Sequence, residues 1–130
     1  MIGLDTNVLV RYLTQDDQEQ ANKANKLIEQ QLSVHKPGYI TLVTLVEIVW
    51  VLESCYGQSK SEILDVLHAV LTTKQLLIEQ ADIVYLALKR FINGRADFSD
   101  ALIATLSDNN GCHVVFTFDK KAASVGMELL

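Results

Sequence analysis

The chain is expected to fold as an α/β domain around a mostly parallel sheet. One observation is the alternation of short apolar runs (residues 1–4, 39–40, 76–78 and 114–118) with longer segments of helical period. Strands that alternate with helices imply parallel pairing through crossover helices. A second is that the first and fourth of these runs stop at an aspartate, Asp5 and Asp119. In an open parallel sheet, ligands bind in the crevice outside the carboxyl ends of the strands. At 130 residues the chain reads as a single domain, 1–130, large enough to bury roughly two-thirds of its unfolded surface.

Each element has its own signal. Residues 1–4 are the opening strand, and 7–14 a short helix with Val8, Leu9 and Leu13 apolar and Arg11 facing outward or toward the crevice. Asp16 and Asp17 are both able to cap the next helix, 18–32, on which Ala21, Ala24, Leu27, Ile28 and Gln31 keep a helical period. Pro37-Gly38 breaks the pattern, Tyr39-Ile40 is a strand, and Thr41 is placed to cap a third helix. Residues 42–56, that third helix, are the most hydrophobic stretch. Their apolar side chains cover nearly every helical face, so burial on most sides is expected. Glu47 sits in the middle of it, where a charge is costly unless paired or bound to a metal. The plain alternatives are a place at the helix edge or an arginine partner. Glu53 lies roughly 120° round the helix from Glu47 and is expected at the surface.

Gly57 ends that helix, and Ser59 with Glu62 has capping-box spacing for the next, 59–73. Ile63, Leu64, Val66, Leu67, Val70 and Leu71 supply its buried side, and His68, without a ligand partner one turn away, reads as structural. Residues 76–78 form a strand. The helix 81–91 has Ile83, Val84, Leu86, Ala87 and Leu88 inside and Lys89 and Arg90 at its cation-favouring end. After the turn at 93–96 a helix starts near Asp97 and runs to Leu106. Asp97 and Asp100 are three apart and share a face. That spacing suits Asp97 as the cap with Asp100 in the first turn, and Asp100, beyond what capping needs, invites a cation. Asn110-Gly111 ends the helix, 114–118 is an apolar strand, 120–122 open a short helical turn, and 127–130 form an edge strand.

Composition narrows the function. The apolar runs are too short for a transmembrane span, and no basic segment precedes an apolar one as in a signal peptide. Cys55 and Cys112 make no metal or redox spacing and read as free thiols of a reducing cytoplasm. The net charge of −5 is the reverse of the basic footprint usual in a nucleic-acid binder. Action on nucleic acid therefore needs a metal ion or a local basic rim. Asp5 and Asp119 reach one edge of the expected sheet, and Glu47 and Asp100 lie on helices that start at or near it. Converging carboxylates repel and take up protons unless a cation intervenes. Magnesium suits a few carboxylates with retained waters, and manganese tolerates the same ligands. Such an ion can activate a water and stabilise charge on a phosphodiester. Arg11, Arg95, Lys120 and Lys121 are candidates for steering phosphates, with scattered solubilising charge as the alternative.

The segments Leu4-Asp5-Thr6-Asn7-Val8-Leu9, Leu45-Val46-Glu47-Ile48-Val49-Trp50, Ala96-Asp97-Phe98-Ser99-Asp100-Ala101-Leu102 and Val115-Phe116-Thr117-Phe118-Asp119 together resemble the PIN-domain nucleases. The resemblance extends to the VapC-type toxins of bacterial toxin–antitoxin pairs. It covers almost the whole chain through the order and spacing of its motifs. It implies a three-layer α/β/α fold with a central, mostly parallel sheet of about five strands, and a metal-dependent endoribonuclease. By motif position Asp5, Glu47, Asp100 and Asp119 match the family's acidic quartet. Thr6 and Thr117 match polar residues that orient the site, and Asp97 is a cap or an outer-shell ligand. Mg²⁺ with Mn²⁺ as substitute, a homodimer and a small inhibitory antitoxin are also implied. Two other classes stay open: a non-catalytic RNA- or protein-binding module, and a metal-dependent phosphatase using Asp5. Against the latter, Asp5-Thr6-Asn7 lacks the second aspartate of haloacid-dehalogenase-like enzymes.

Overall fold

In a computed structural model, which describes residues 1–130, the chain divides into two compact units, Met1–Glu79 and Gln80–Leu130. In the first, β1 (Ile2–Gly3), β2 (Gly38–Ile40) and β3 (Leu76–Ile78) pair in that order. Both pairings are parallel, with Ile2 opposite Gly38 and Gly38 opposite Leu76. The central strand needs its glycine. A Cβ at Gly38 would come within 2.6 Å of Leu4 Cδ1 and 2.8 Å of Leu32 Cδ1.

The helices of this unit are α1 (Thr6–Thr14), α2 (Gln18–Asn25, prolonged by a π-helical stretch, Lys26–Gln31), α3 (Leu42–Ser54) and α4 (Lys60–Thr72). Their starts agree closely with the sequence signals. Asp17 Oδ1 accepts from the Gln20 amide at 3.0 Å, and Thr41 Oγ1 from that of Thr44 at 3.1 Å. Both reciprocal bonds of the Ser59–Glu62 capping box form, which holds the Glu62 carboxyl below the usual range. Leu9, Ile28, Ile40, Leu45, Ile48, Leu52, Ile63 and Leu67 are fully buried and make the core.

The second unit contains α5 (Ala81–Asn93), α6 (Phe98–Asn109), β4 (Phe116–Thr117), a 3₁₀ turn (Ala122–Val125) and β5 (Glu128–Leu129). β4 and β5 are parallel, with Phe116 opposite Glu128. Phe91 and Phe98 meet edge to face, their centroids 5.9 Å apart. Arg90, expected only as a favourable charge at a helix end, turns to donate to the Val125 carbonyl and pairs with Asp108.

The α/β class with parallel strands is borne out. Five strands form, as a ladder of three and a ladder of two. Burial differs in three places. α3 is not buried on most sides: Val43 and Trp50 are 69% and 63% exposed. Glu47 lies on that face too, one helical turn from each. Its charge is therefore solvated, and the burial cost expected for it does not arise. Leu86, expected inside α5, is exposed, as is His68 on α4. Of the run 114–118 only Phe116–Thr117 is in a ladder, and Phe116 and Phe118 face solvent.

Candidate functional site

Because β1, β2 and β3 are parallel, their carboxyl ends share one edge of the sheet. Asp5 lies just beyond β1, Thr41 directly follows β2, and Glu79 directly follows β3. Asp5 has extended backbone and caps α1, its Oδ1 accepting the Thr6 amide at 2.8 Å. Glu79 Oε1 accepts the Leu42 amide at 2.8 Å, so this strand-end acid is committed to the start of α3. Glu47 sits in the second turn of α3 and is exposed. Asp5 and Glu47 line one recess of about 410 Å³ together with Thr6, Asn7, Arg11, Cys55 and Tyr56. Thr6 is only 8% exposed, and its Oγ1 has no hydrogen-bond partner. A buried hydroxyl left unpaired is costly.

In the second unit Asp97 and Asp100 flank the start of α6. Asp97 Oδ1 accepts from the Asp100 amide at 2.8 Å and the Ser99 hydroxyl at 2.9 Å. Asp97 is therefore the cap, the reading its spacing with Asp100 allowed. Asp119 is held in a tight turn, its Oδ1 accepting from the Lys121 amide at 2.9 Å while its own amide donates to Thr117 Oγ1 at 3.0 Å. Asp100 is half-buried. Its carboxyl is pushed up to about 6 by that burial, by Asp97 and by the charge of Asp119. Asp97 and Asp119 thus both lie close enough for their charges to act on Asp100.

The donors suit a hard divalent cation. Asp5, Glu47, Asp97, Asp100 and Asp119 are all oxygen ligands, and none is neutralised by the ion pairs of Arg11 with Asp16, Lys23 with Glu19, or Arg90 with Asp108. In the second unit Asp97 and Asp119 act on Asp100 without a cation between them, and in the first Asp5 and Glu47 share a recess. Oxygen donors of this kind are those such an ion takes. No group of three or more carboxylate, histidine or cysteine side chains already stands at metal-holding spacing. Of the candidate phosphate contacts, Arg95, Lys120 and Lys121 are exposed and outside any ion pair. Arg11 is half-buried and engaged: its Nη1 donates to Asp16 at 3.1 Å and to Tyr56 Oη at 3.1 Å, and its Nε to Gln20 Oε1 at 2.7 Å.

Sequence reasoning passed over Tyr56, Asn7, Cys55 and the bonding of Asp16. Tyr56 Oη donates to Asp16 Oδ2 at 2.6 Å and Thr14 Oγ1 to Asp16 Oδ1 at 2.8 Å. These bonds, with the Arg11 charge, bring the Asp16 carboxyl down to about 2. One signal was available: Asp16 and Asp17 stand side by side and one helix needs a single cap.

These features define an α/β protein with acidic residues grouped at element ends, and the comparison with family models agrees. The chain matches the PIN domain over residues 2–127 and belongs to that family. PIN domains are generally nucleases and typically bind divalent metals. Comparison with curated proteins gives no match. No helix is long and apolar enough to cross a membrane.

Proposed function

We propose that this chain is a metal-dependent endoribonuclease that hydrolyses RNA phosphodiester bonds, and that it is the VapC-type toxin of a toxin–antitoxin pair. The main support is that the acids at its PIN motif positions lack cationic partners in a chain whose family is generally nucleolytic. Asp5, Glu47, Asp100 and Asp119 are the carboxylates that would hold Mg²⁺, or Mn²⁺ in its place, with Asp97 outside them. When bound, the ion supplies Lewis acidity toward a phosphate and an attacking water.

The chain's own residues do the rest. The Thr6 amide fixes one oxygen of Asp5, and Asp5 lines the recess. Turns at Thr117 and Lys121 hold the Asp119 carboxylate in one orientation. Asp100 keeps a proton up to a pH of about 6 and must release it before it can serve a cation. No side-chain nucleophile is needed. In this reading the chain acts in the cytoplasm as one nuclease domain, pairs as a homodimer, and is silenced by a small cognate antitoxin that covers or enters the site.

The test uses the purified chain, free of antitoxin, with RNA. Cleavage in Mg²⁺ or Mn²⁺ that is lost with EDTA and on Asp5→Asn is the expected result. No cleavage in either metal would contradict the reading and favour a non-catalytic binding module. Turnover of small phosphomonoesters with an aspartyl-phosphate at Asp5 would instead mark a phosphatase.

A further inference from the structure

The recess that holds Asp5 and Glu47 shares Asn7 and Arg11 with a second recess of about 300 Å³, which Val8, Gln20 and Leu27 also line. Arg11 stands at the junction. Its guanidinium is locked on two sides, Nε by Gln20 and Nη1 by Asp16 and Tyr56. The Nη2 edge, with two N–H donors, makes no bond. Asp16 is saturated, its oxygens taking Thr14, Tyr56 and Arg11 together. A guanidinium fixed in this way keeps the two N–H donors of one nitrogen, Nη2, free to reach a phosphate oxygen. Arg95, Lys120 and Lys121 are not so held, and none of them lines the acidic recess. Thr6, which lines that same recess, is more than nine-tenths buried and its hydroxyl has no partner.

We propose that Arg11 binds an RNA phosphate next to the scissile one, so that the strand leaves the Asp5–Glu47 recess over Nη2 and runs on along the groove between α1 and α2. This rests on the nuclease reading and extends it to the path of the substrate. A strand carrying one negative charge per nucleotide is repelled by the carboxylates and meets the fixed guanidinium of Arg11, which lines both recesses. Asp16, Tyr56 and Gln20 act as positioning residues: through their bonds to Arg11 they set the direction of the guanidinium.

The test is fluorescence anisotropy with a short labelled single-stranded RNA of mixed sequence, in chains that all carry Asp5→Asn so that nothing is cleaved. Binding is measured across a range of salt. Arg11→Gln should weaken binding about tenfold and lower the slope of log K against log salt by about 0.7, the value of one single-strand phosphate contact. Arg11→Lys keeps the charge and the slope but binds less well, because an ammonium cannot hold its partners and still offer a second edge. Tyr56→Phe also weakens binding with the slope unchanged, a split that a merely structural role would not produce.

Unaltered affinity and slope in Arg11→Gln would overturn the proposal. If that variant loses its helical circular dichroism, parental binding by both Arg11→Lys and Tyr56→Phe overturns it equally. A parent chain that fails to bind the RNA does so as well. Failure of the nuclease reading is seen separately, as absence of Asp5-dependent cleavage by the wild-type chain.

Discussion

Two carboxylates show how local surroundings set opposite behaviour in the same residue type. Asp16 is drawn down to about 2 by the hydroxyls of Tyr56 and Thr14 and the charge of Arg11. Asp100 is pushed up to about 6 by burial and by Asp97 and Asp119. For Asp100 the folded chain keeps a proton that the unfolded chain loses near the ordinary value of 3.8. The folded state then binds more protons across that window, so stability falls as pH rises from about 4 to about 6. Thermal melts in EDTA should show this decline, and Asp100→Asn should flatten it and melt higher above pH 6. A difference in melting temperature between wild type and Asp100→Asn that stays constant through the same window would contradict the assignment. For Asp16 the sign is reversed: its contribution is present above 3.8 and is lost as pH falls toward about 2. Little of this was legible in the sequence, because a shifted carboxyl depends on neighbours brought close by folding. Glu47 makes the same point. Its surroundings in sequence are apolar, yet helical geometry places it beside Val43 and Trp50 on an exposed face.

At the scale of the element, helix starts were the most readable features, because a cap needs only residues close in sequence. Ser59→Ala removes half of a reciprocal box and should cost about 1 kcal/mol in chemical denaturation. Asp97 was readable as a cap for the same reason. The anchoring of α6 was less so. Phe98 directly follows Asp97, is fully buried and packs edge to face with Phe91, so it seats the turn that carries Asp97 and Asp100. Phe98→Ala should cost about 3–5 kcal/mol, measured by urea unfolding, and should reduce cleavage even where the variant remains folded. The tie of Glu79 to the Leu42 amide spans 37 residues and has no local signal. The strands were legible as apolar runs, but their ladders are only two or three residues long. Apolar character marked where chain is strand-like and could not mark where pairing stops.

At the scale of the whole molecule, the alternation of strands and helices was enough for the α/β class, since parallel pairing demands crossover helices. The candidate acids are distributed over both compact units: Asp5 and Glu47 in the first, and Asp97, Asp100 and Asp119 in the second. A net charge of −5 makes a divalent cation valuable to a chain that is to accept RNA. If Mg²⁺ binds the folded chain alone, an excess of about a hundredfold over its Kd stabilises by about 2.7 kcal/mol. Calorimetry should therefore show a higher melting temperature in Mg²⁺, and a smaller gain in a chain carrying Asp5→Asn and Asp100→Asn. The most direct test of the central claim is to map RNA 5′ ends in cells after brief expression of the wild-type chain beside Asp5→Asn. The nuclease account predicts new, discrete 5′ ends with the wild-type chain that are absent with the variant. Identical 5′ ends in the two samples, with both chains expressed and folded, would contradict it.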